Sequence, residues 1–533
     1  MAWLNAAVLF AAVIAAAYLL APYLTKVFTG EPTLLSGPLR PLERSIYVLC
    51  HIDPAAEMGW EQYALAALCF TACGTALLYA ILRTQQWLPL NPQHFPNLDP
   101  IVAWNTAVSF ATTTDWQVYS GENAMSYFSQ MVGLAWQNFT AGAVGLAVSI
   151  AVIRGFARPS ARKLGNFWVD MVRGLLYVLL PLCAAFGLLF ASQGVPQNFN
   201  PYIAVTNAEH FAQSISGGPM ASQEAPKLVG GNGGGFVNAN SSSPNENPTP
   251  ISNFLELLAM WILPAALPLV FGRMTGFRRA GTVLLGTIVV LAAAALIPAQ
   301  FAEQHGNPIV HALGVRGGNM EGKEARFGVM ASGLSLTVAS DSGTGSSNLA
   351  YDSLTPLGGL VAMVNMQLGE IVFGGVGSGL YGLIVFAVIT VFLTGLMVGR
   401  TPEYLGKKIG SREVRFAMLS VLIFPLLVLL AVAIAIVSKP GLAGLGNAGP
   451  HGLSEVLYAF TSNAANNGSA FAGLQSNSSY DVLTGIVMLG GRFLVLIPTL
   501  AMAGALAARQ TTMPQHLERC APTRRFSACS SRL

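Results

Sequence analysis

The sequence predicts an all-α polytopic membrane protein. Four pseudo-repeats, each a span, a re-entrant pore helix, a filter loop and a second span, surround a central pore, with one extra span at the N-terminus. Three observations predict this. The 533-residue chain is 53% hydrophobic and only 10% charged, with a mean hydropathy of +0.54, whereas soluble domains carry about 25% charged residues. It contains runs of about 20 apolar residues, the length that crosses a bilayer. Between paired runs lie four short knots of Gly, Thr, Ser and Asn: Thr112–Gln117, Gly230–Gly235, Ser342–Ser346 and Asn466–Ser469.

The apolar runs are Trp3–Tyr23, Tyr63–Leu82, Tyr127–Ile153, Phe167–Ala191, Phe254–Phe271, Ala280–Pro298, Thr355–Val398, Phe416–Val437 and Val482–Ala508. The first has no basic segment before it and reads as a retained span rather than a cleaved signal. Thr355–Val398 is too long for one straight helix. Its centre, Glu370-Ile371-Val372-Phe373-Gly374-Gly375-Val376-Gly377, is glycine-rich and acidic. It reads as one broken span, with two separate spans as the alternative. Basic residues favour the single span. With the N-terminus outside, Lys26, Arg40 and Arg44, then Arg154 to Lys163, then Arg273 to Arg279, then Arg400 to Arg415 all fall inside, as the positive-inside rule requires. The net charge of +4 therefore reports topology. The lipid bilayer is the expected partner, and no nucleic acid is.

The repeat divides the chain into an N-terminal span and loop (1–58), pore repeats at 59–166, 167–275, 276–413 (with the broken second span) and 414–509, and a polar tail (510–533). Four knots in the same place form a degenerate internal repeat. Each is preceded by a candidate short helix. Asp99 caps Pro100 to Ala111 in the first repeat, by side chain and by proline at the first helical position. Met220–Val229, Glu324–Val338 and a helix opening at Ser454-Glu455 serve in the others.

Four such loops suit a cation filter. Backbone carbonyls replace an ion's water without trapping it. Aiming carbonyls at one axis takes dihedrals that Gly and Asn tolerate. A pore helix ending at each loop turns its negative dipole end to the ion. The outer segments also carry acids, among them Asp99, Glu122, Glu209, Glu224, Glu303, Glu321, Glu455 and Asp481, expected to form a negative vestibule. Two charges lie inside spans. Glu370, followed by Gly374 and Gly377, reads as a gate or lateral exit, with a plain helix break as the alternative. Arg492 is expected to face the bundle interior, where it either hinders cation flow or pairs with Glu370; a structural pair is the alternative.

Other functions are excluded or unsupported. No GxxxxGK[ST] phosphate loop occurs, and no loop is large enough for a nucleotide domain, so no catalytic residue and no cofactor are expected. The cysteines Cys50, Cys69, Cys73, Cys183, Cys520 and Cys529 form no CxxC pair and no metal spacing. Those inside apolar runs are expected to be small buried hydrophobes.

Five motifs carry a specific resemblance. They are SFATTTDWQVYSGE at Ser109–Glu122, GGNGGGFVNANS at Gly230–Ser241 followed by ENPTPISN, GEIVFGGVGSGLYG at Gly369–Gly382, GRTPEYLGKKI at Gly399–Ile409 and NNGSAFAGL at Asn466–Leu474. From about residue 1 to 510 the chain resembles the potassium-binding component of the bacterial Kdp-type potassium-transporting ATPase, in the superfamily of potassium transporters. The resemblance implies a channel-like subunit of an ATP-driven potassium uptake complex in the bacterial inner membrane. It implies partnership with a P-type ATPase catalytic subunit, which uses the ATP, and with small membrane subunits. By position, K+ would bind at Thr113, Thr114 and Asp115, at Gly231, Asn232 and Gly233, at Gly343, Thr344 and Gly345, and at Asn466, Asn467 and Gly468, flanked by Gln117. A stand-alone Trk/Ktr-like channel or gradient-driven transporter is the alternative. Two departures stand out. TTTDWQ replaces the TNTNWQ frequent in the family, and after Arg509 a polar, basic tail stands where the family would carry one more apolar span.

Overall fold

The computed structural model describes residues 2–206, 208, 210–471 and 478–510. Among them are nine helices long and apolar enough to cross a membrane: Trp3–Thr29, Trp60–Trp87, Ser129–Ala157, Phe167–Ser192, Pro250–Met274, Arg278–Ala312, Ser378–Met397, Ser411–Val437 and Ser479–Ala507. The polar tail beyond residue 510, which stands where the family would carry one more span, lies outside the described residues, as does Glu209.

Burial sorts these helices by role. The apolar windows of Ser129–Ala157, Pro250–Met274 and Ser479–Ala507 are 94%, 83% and 67% buried, against 28–33% for the other six. The second span of repeats one, two and four is therefore an inner helix, and each first span is peripheral. The peripheral spans present apolar residues outward, such as Leu65, Leu77, Val283, Val290, Leu426 and Leu429, as hydrocarbon requires. Cys69 and Cys73 are exposed on the same outer surface and Cys183 is half-buried. The expectation that they pack inside fails because their spans are peripheral, a distinction that uniform apolarity hides.

In the third repeat the inner position is taken by two helices, Pro356–Gln367 and Ser378–Met397, joined by residues 368–377. The join is irregular backbone, with left-handed φ at Glu370, Phe373, Gly374 and Gly377. From Glu370 to Gly377 it is buried in protein, the condition for irregular backbone at membrane depth. Phe373 stacks on Trp261 with centroids 4.1 Å apart, and Trp261 meets Phe10 of the N-terminal span edge-on at 5.3 Å. The extra span therefore supports the break.

Four pore helices stand between the paired spans: Pro100–Ala111, Met220–Val229, Gly328–Asp341 and Gly449–Ala465. The first starts as its sequence dictates, with Asp99 Oδ1 accepting from the Ile101 amide at 2.8 Å. The third and fourth differ from expectation. The third begins four residues later than Glu324, at the left-handed Gly328 (φ +73°). The fourth begins at Gly449, because Pro450 sits in its first turn and sets helical φ.

At the end of the bundle away from these loops, buried charges tie the spans together. Arg154 donates to both oxygens of Asp170 at 2.5 and 2.7 Å and to the Phe28 carbonyl at 3.1 Å, while the Tyr63 hydroxyl reaches Asp170 at 3.0 Å. The Lys407 ammonium donates to the carbonyls of Gly155, Arg158 and Leu506. Removing one partner of a buried pair strands the other charge, at a cost of about 3–5 kcal/mol. Arg154→Leu is thus expected to lower the thermal unfolding midpoint of the detergent-solubilised protein sharply. Arg154→Leu with Asp170→Leu should recover most of it. Equal midpoints for wild type and the single variant would refute the assignment.

Candidate functional site

The four loops after the pore helices share one backbone register. The first has left-handed φ at Thr113 and Asp115, the second at Gly231 and Gly233, the fourth at Asn466 and Gly468, and the third at Gly345 alone. Amides just before these points fold back on the pore helix. Those of Thr114, Asn232 and Asn467 bond the carbonyls of Ser109, Lys227 and Ser462 at 2.9–3.0 Å, and that of Gly345 bonds Ala339 at 3.2 Å. With the amides engaged, the carbonyls are left over. Among the described residues, the carbonyls of Thr113, Thr114, Gly231, Asn232, Gly343, Thr344, Asn466 and Asn467 accept no hydrogen bond. Buried carbonyls are seldom left this way.

The loops close into a ring in chain order. A Cβ on Gly233 would fall 1.4 Å from the Thr344 carbonyl oxygen, one on Gly345 2.3 Å from that of Asn467, and one on Gly468 1.9 Å from that of Thr114. Each carbonyl thus lies against the neighbouring loop's left-handed residue, from second to third, third to fourth and fourth to first. The remaining joint is made by side chains. Asp115 Oδ2 accepts from the Gly234 amide at 2.8 Å, and Gln117 exchanges hydrogen bonds with the Gly235 carbonyl and amide at 3.0 and 3.3 Å. Asp115 stands where the other three loops have glycine, and aspartate is among the few residues that enter left-handed backbone readily. Its side chain is turned to the second loop.

The remaining loop side chains brace the ring. Thr112 and Thr114 hydroxyls meet at 2.8 Å, and those of Ser342 and Thr344 at 2.5 Å. Asn466 donates to Thr114 Oγ1 at 2.8 Å, and Asn467 to the Ala339 and Ser342 carbonyls at 3.0 and 2.8 Å. One cavity of about 660 Å³ opens on one side of the ring, reached by Asp115, Gly233, Thr344, Gly345 and Gly468. Another of about 500 Å³ lies on the other side, lined by Glu370, Arg492, Asn466 and Ser378.

The acids depart from expectation. Of the named acids, Asp481 reaches the first of these cavities together with Asp115, while Glu224, Glu303 and Glu455 are buried. Glu224 and Glu303 pair with Lys227 and Lys323 at 2.8 and 2.7 Å, and Glu455 accepts from the Gly446 and Asn447 amides. They hold loops in place, since a buried carboxylate must find partners. Arg492 does face the interior, from a π-turn at Gly490–Leu494. It shares the second cavity with Glu370, but no ion pair within 4 Å joins them among the described residues. Sequence reading missed Asn138, whose carbonyl holds the Asn232 side chain at 2.7 Å. It also missed the inward turn of Lys227. No spacing rule points to either.

The family model described as potassium-transporting ATPase A subunit matches residues 7–525. That match runs past residue 510, where the motif-based resemblance was expected to end. A "potassium-transporting ATPase potassium-binding subunit" of Solibacter usitatus is 52% identical over 92% of this chain and 88% of its own length. A protein of the same name from Methylorubrum extorquens is 51% identical over 96% and 91%. Among solved structures, the potassium transporter TrkH of Vibrio parahaemolyticus aligns over 92% of this chain and 97% of its own, with a TM-score of 0.53 and 14% identity, a likeness of fold alone. The matches in sequence cover nearly the whole described structure, and the chain belongs to the potassium-transporting ATPase A-subunit family.

Proposed function

We propose that this chain is the potassium-binding, translocating subunit of an ATP-driven uptake complex. The observation that carries the proposal is the closed ring of four loops whose carbonyls accept no hydrogen bond. Such carbonyls supply a dehydrated cation with oxygens at little cost, because secondary structure has no claim on them. In this reading K+ enters by the outer cavity, binds at residues 113–115, 231–233, 343–345 and 466–468, and passes to the inner cavity. Glu370, Gly374, Gly377 and Arg492 control its further passage. The family supports a place in a multi-subunit ATPase. A P-type ATPase subunit would hydrolyse the ATP, small membrane subunits would complete the assembly, and this chain would need no cofactor of its own. The basic loops favour an N-terminus outside the bacterial inner membrane.

The test is rubidium uptake in cells lacking other potassium uptake systems, with this chain expressed alone or beside its ATPase and small subunits. Energy-dependent uptake only in company is the expected result. Uptake by the chain alone would establish a stand-alone channel or gradient-driven transporter instead.

A further inference from the structure

The second filter loop poses a physical problem. Gly230, Gly231, Gly233, Gly234 and Gly235 have no side chains with which to fix their own backbone, and glycine loses the most entropy on ordering. The other loops brace themselves through Thr112, Thr114, Ser342, Thr344, Asn466 and Asn467, as described above. In the second loop only Asn232 contributes such a bond. Its rigidity comes from outside.

Lys227, on the last turn of the pore helix, holds both ends of the glycine strand. Its carbonyl accepts from the Asn232 amide at 3.0 Å, fixing the entry. Its ammonium lies 2.8 Å from Glu224 Oε2 on the same helix and 2.8 Å from Glu246 Oε2 beyond the loop. The other oxygen of Glu246 accepts from the Val237 amide at 2.8 Å, fixing the exit. Gly235 lies directly on this carboxylate, since a Cβ there would fall 2.7 Å from both oxygens. Lys227 and Glu246 are fully buried and Glu224 nearly so. A network of paired buried charges at low dielectric is stiff, and losing one member leaves a buried charge unpaired.

We propose that the Lys227–Glu246 bridge is the positioning strut of the second filter strand and sets the filter's affinity and selectivity. The inference rests on the potassium-binding reading above. Neither residue touches the ion. They act by holding the Gly231 and Asn232 carbonyls in the ring.

The test uses the whole complex in cells, with rubidium as substrate and sodium as competitor, and rates normalised to assembled complex. Glu246→Gln and Lys227→Met are expected to raise the apparent KM for rubidium about tenfold or more and to weaken discrimination against sodium. The maximal rate per complex should change by no more than about twofold. Lys227→Arg, which keeps the charge, should recover much of the affinity. If Lys227→Met does not assemble, Glu246→Gln and Lys227→Arg decide the matter. Less assembled complex with wild-type KM and wild-type sodium competition would overturn the strut, leaving a purely structural ion pair. A wild-type complex that takes up no rubidium would overturn the potassium reading itself.

Discussion

Gly233→Asp is expected to abolish high-affinity rubidium uptake, and Gly233→Ala to come close. Two effects add. The φ of Gly233 is +109°, outside the left-handed basin that L-residues occasionally enter. Any Cβ would also sit 1.4 Å from the Thr344 carbonyl oxygen, far inside contact distance, so one of the two loops must move. A combined loss of about 3 kcal/mol or more is an affinity loss beyond roughly 100-fold. Aspartate adds a charge beside the ion path, so it should also disturb selectivity. The ring predicts an order of severity. Gly468 (φ +87°, 1.9 Å from Thr114 O) should follow Gly233, and Gly345 (φ +62°, 2.3 Å from Asn467 O) should be mildest. Gly276 is the control, since it also has positive φ (+81°) but nothing among the described residues lies within 4 Å of a Cβ there. Gly276→Ala should cost about 1 kcal/mol of stability and leave rubidium affinity intact. Unchanged uptake kinetics in both Gly233→Asp and Gly345→Asp would sink the filter assignment.

The parts of this molecule legible in its sequence are those written in local chemistry. Apolar runs gave the spans because hydrocarbon admits little else. Asp99-Pro100 gave the first pore helix because both residues act within one turn. The four knots were readable because only a few residue types enter left-handed backbone, and the fold uses that backbone at the knots. What stayed hidden depends on distant partners. Glu224 and Glu303 look like surface acids until the fold supplies Lys227 and Lys323. Cys69 and Cys73 look like core residues until one knows their span is peripheral. The π-turn at Gly490–Leu494 has no signature of its own, yet it decides where Arg492 points.

Arg492→Gln is expected to let rubidium through the complex without ATP. The side chain is buried on the wall of the inner cavity. Gly491 brings its span against the end of the fourth pore helix, where a Cβ would lie 2.1 Å from the Ala464 carbonyl, so the charge is held close under the ring. Glu370 Oε2 lies against Gly343, 2.9 Å from where a Cβ would stand. In the proposed pathway the Glu370 carboxyl group would offer oxygens to an arriving cation, and the Arg492 guanidinium in the same cavity would oppose its departure. No ion pair within 4 Å joins them among the described residues, so Glu370 does not cancel the Arg492 charge locally. At an effective dielectric constant of 20, a unit charge about 8 Å from the ion is worth about 2 kcal/mol, or roughly 30-fold in rate. Rubidium efflux from preloaded vesicles holding the complex without ATP measures this barrier. Arg492→Gln should raise that efflux by up to about 30-fold, and Arg492→Lys should keep it low. Glu370→Gln should act on the other side, raising the apparent KM for uptake while leaving the leak small. Equal efflux from wild type and Arg492→Gln would show that the barrier lies elsewhere, with the irregular segment at residues 368–377 as the next place to remove it.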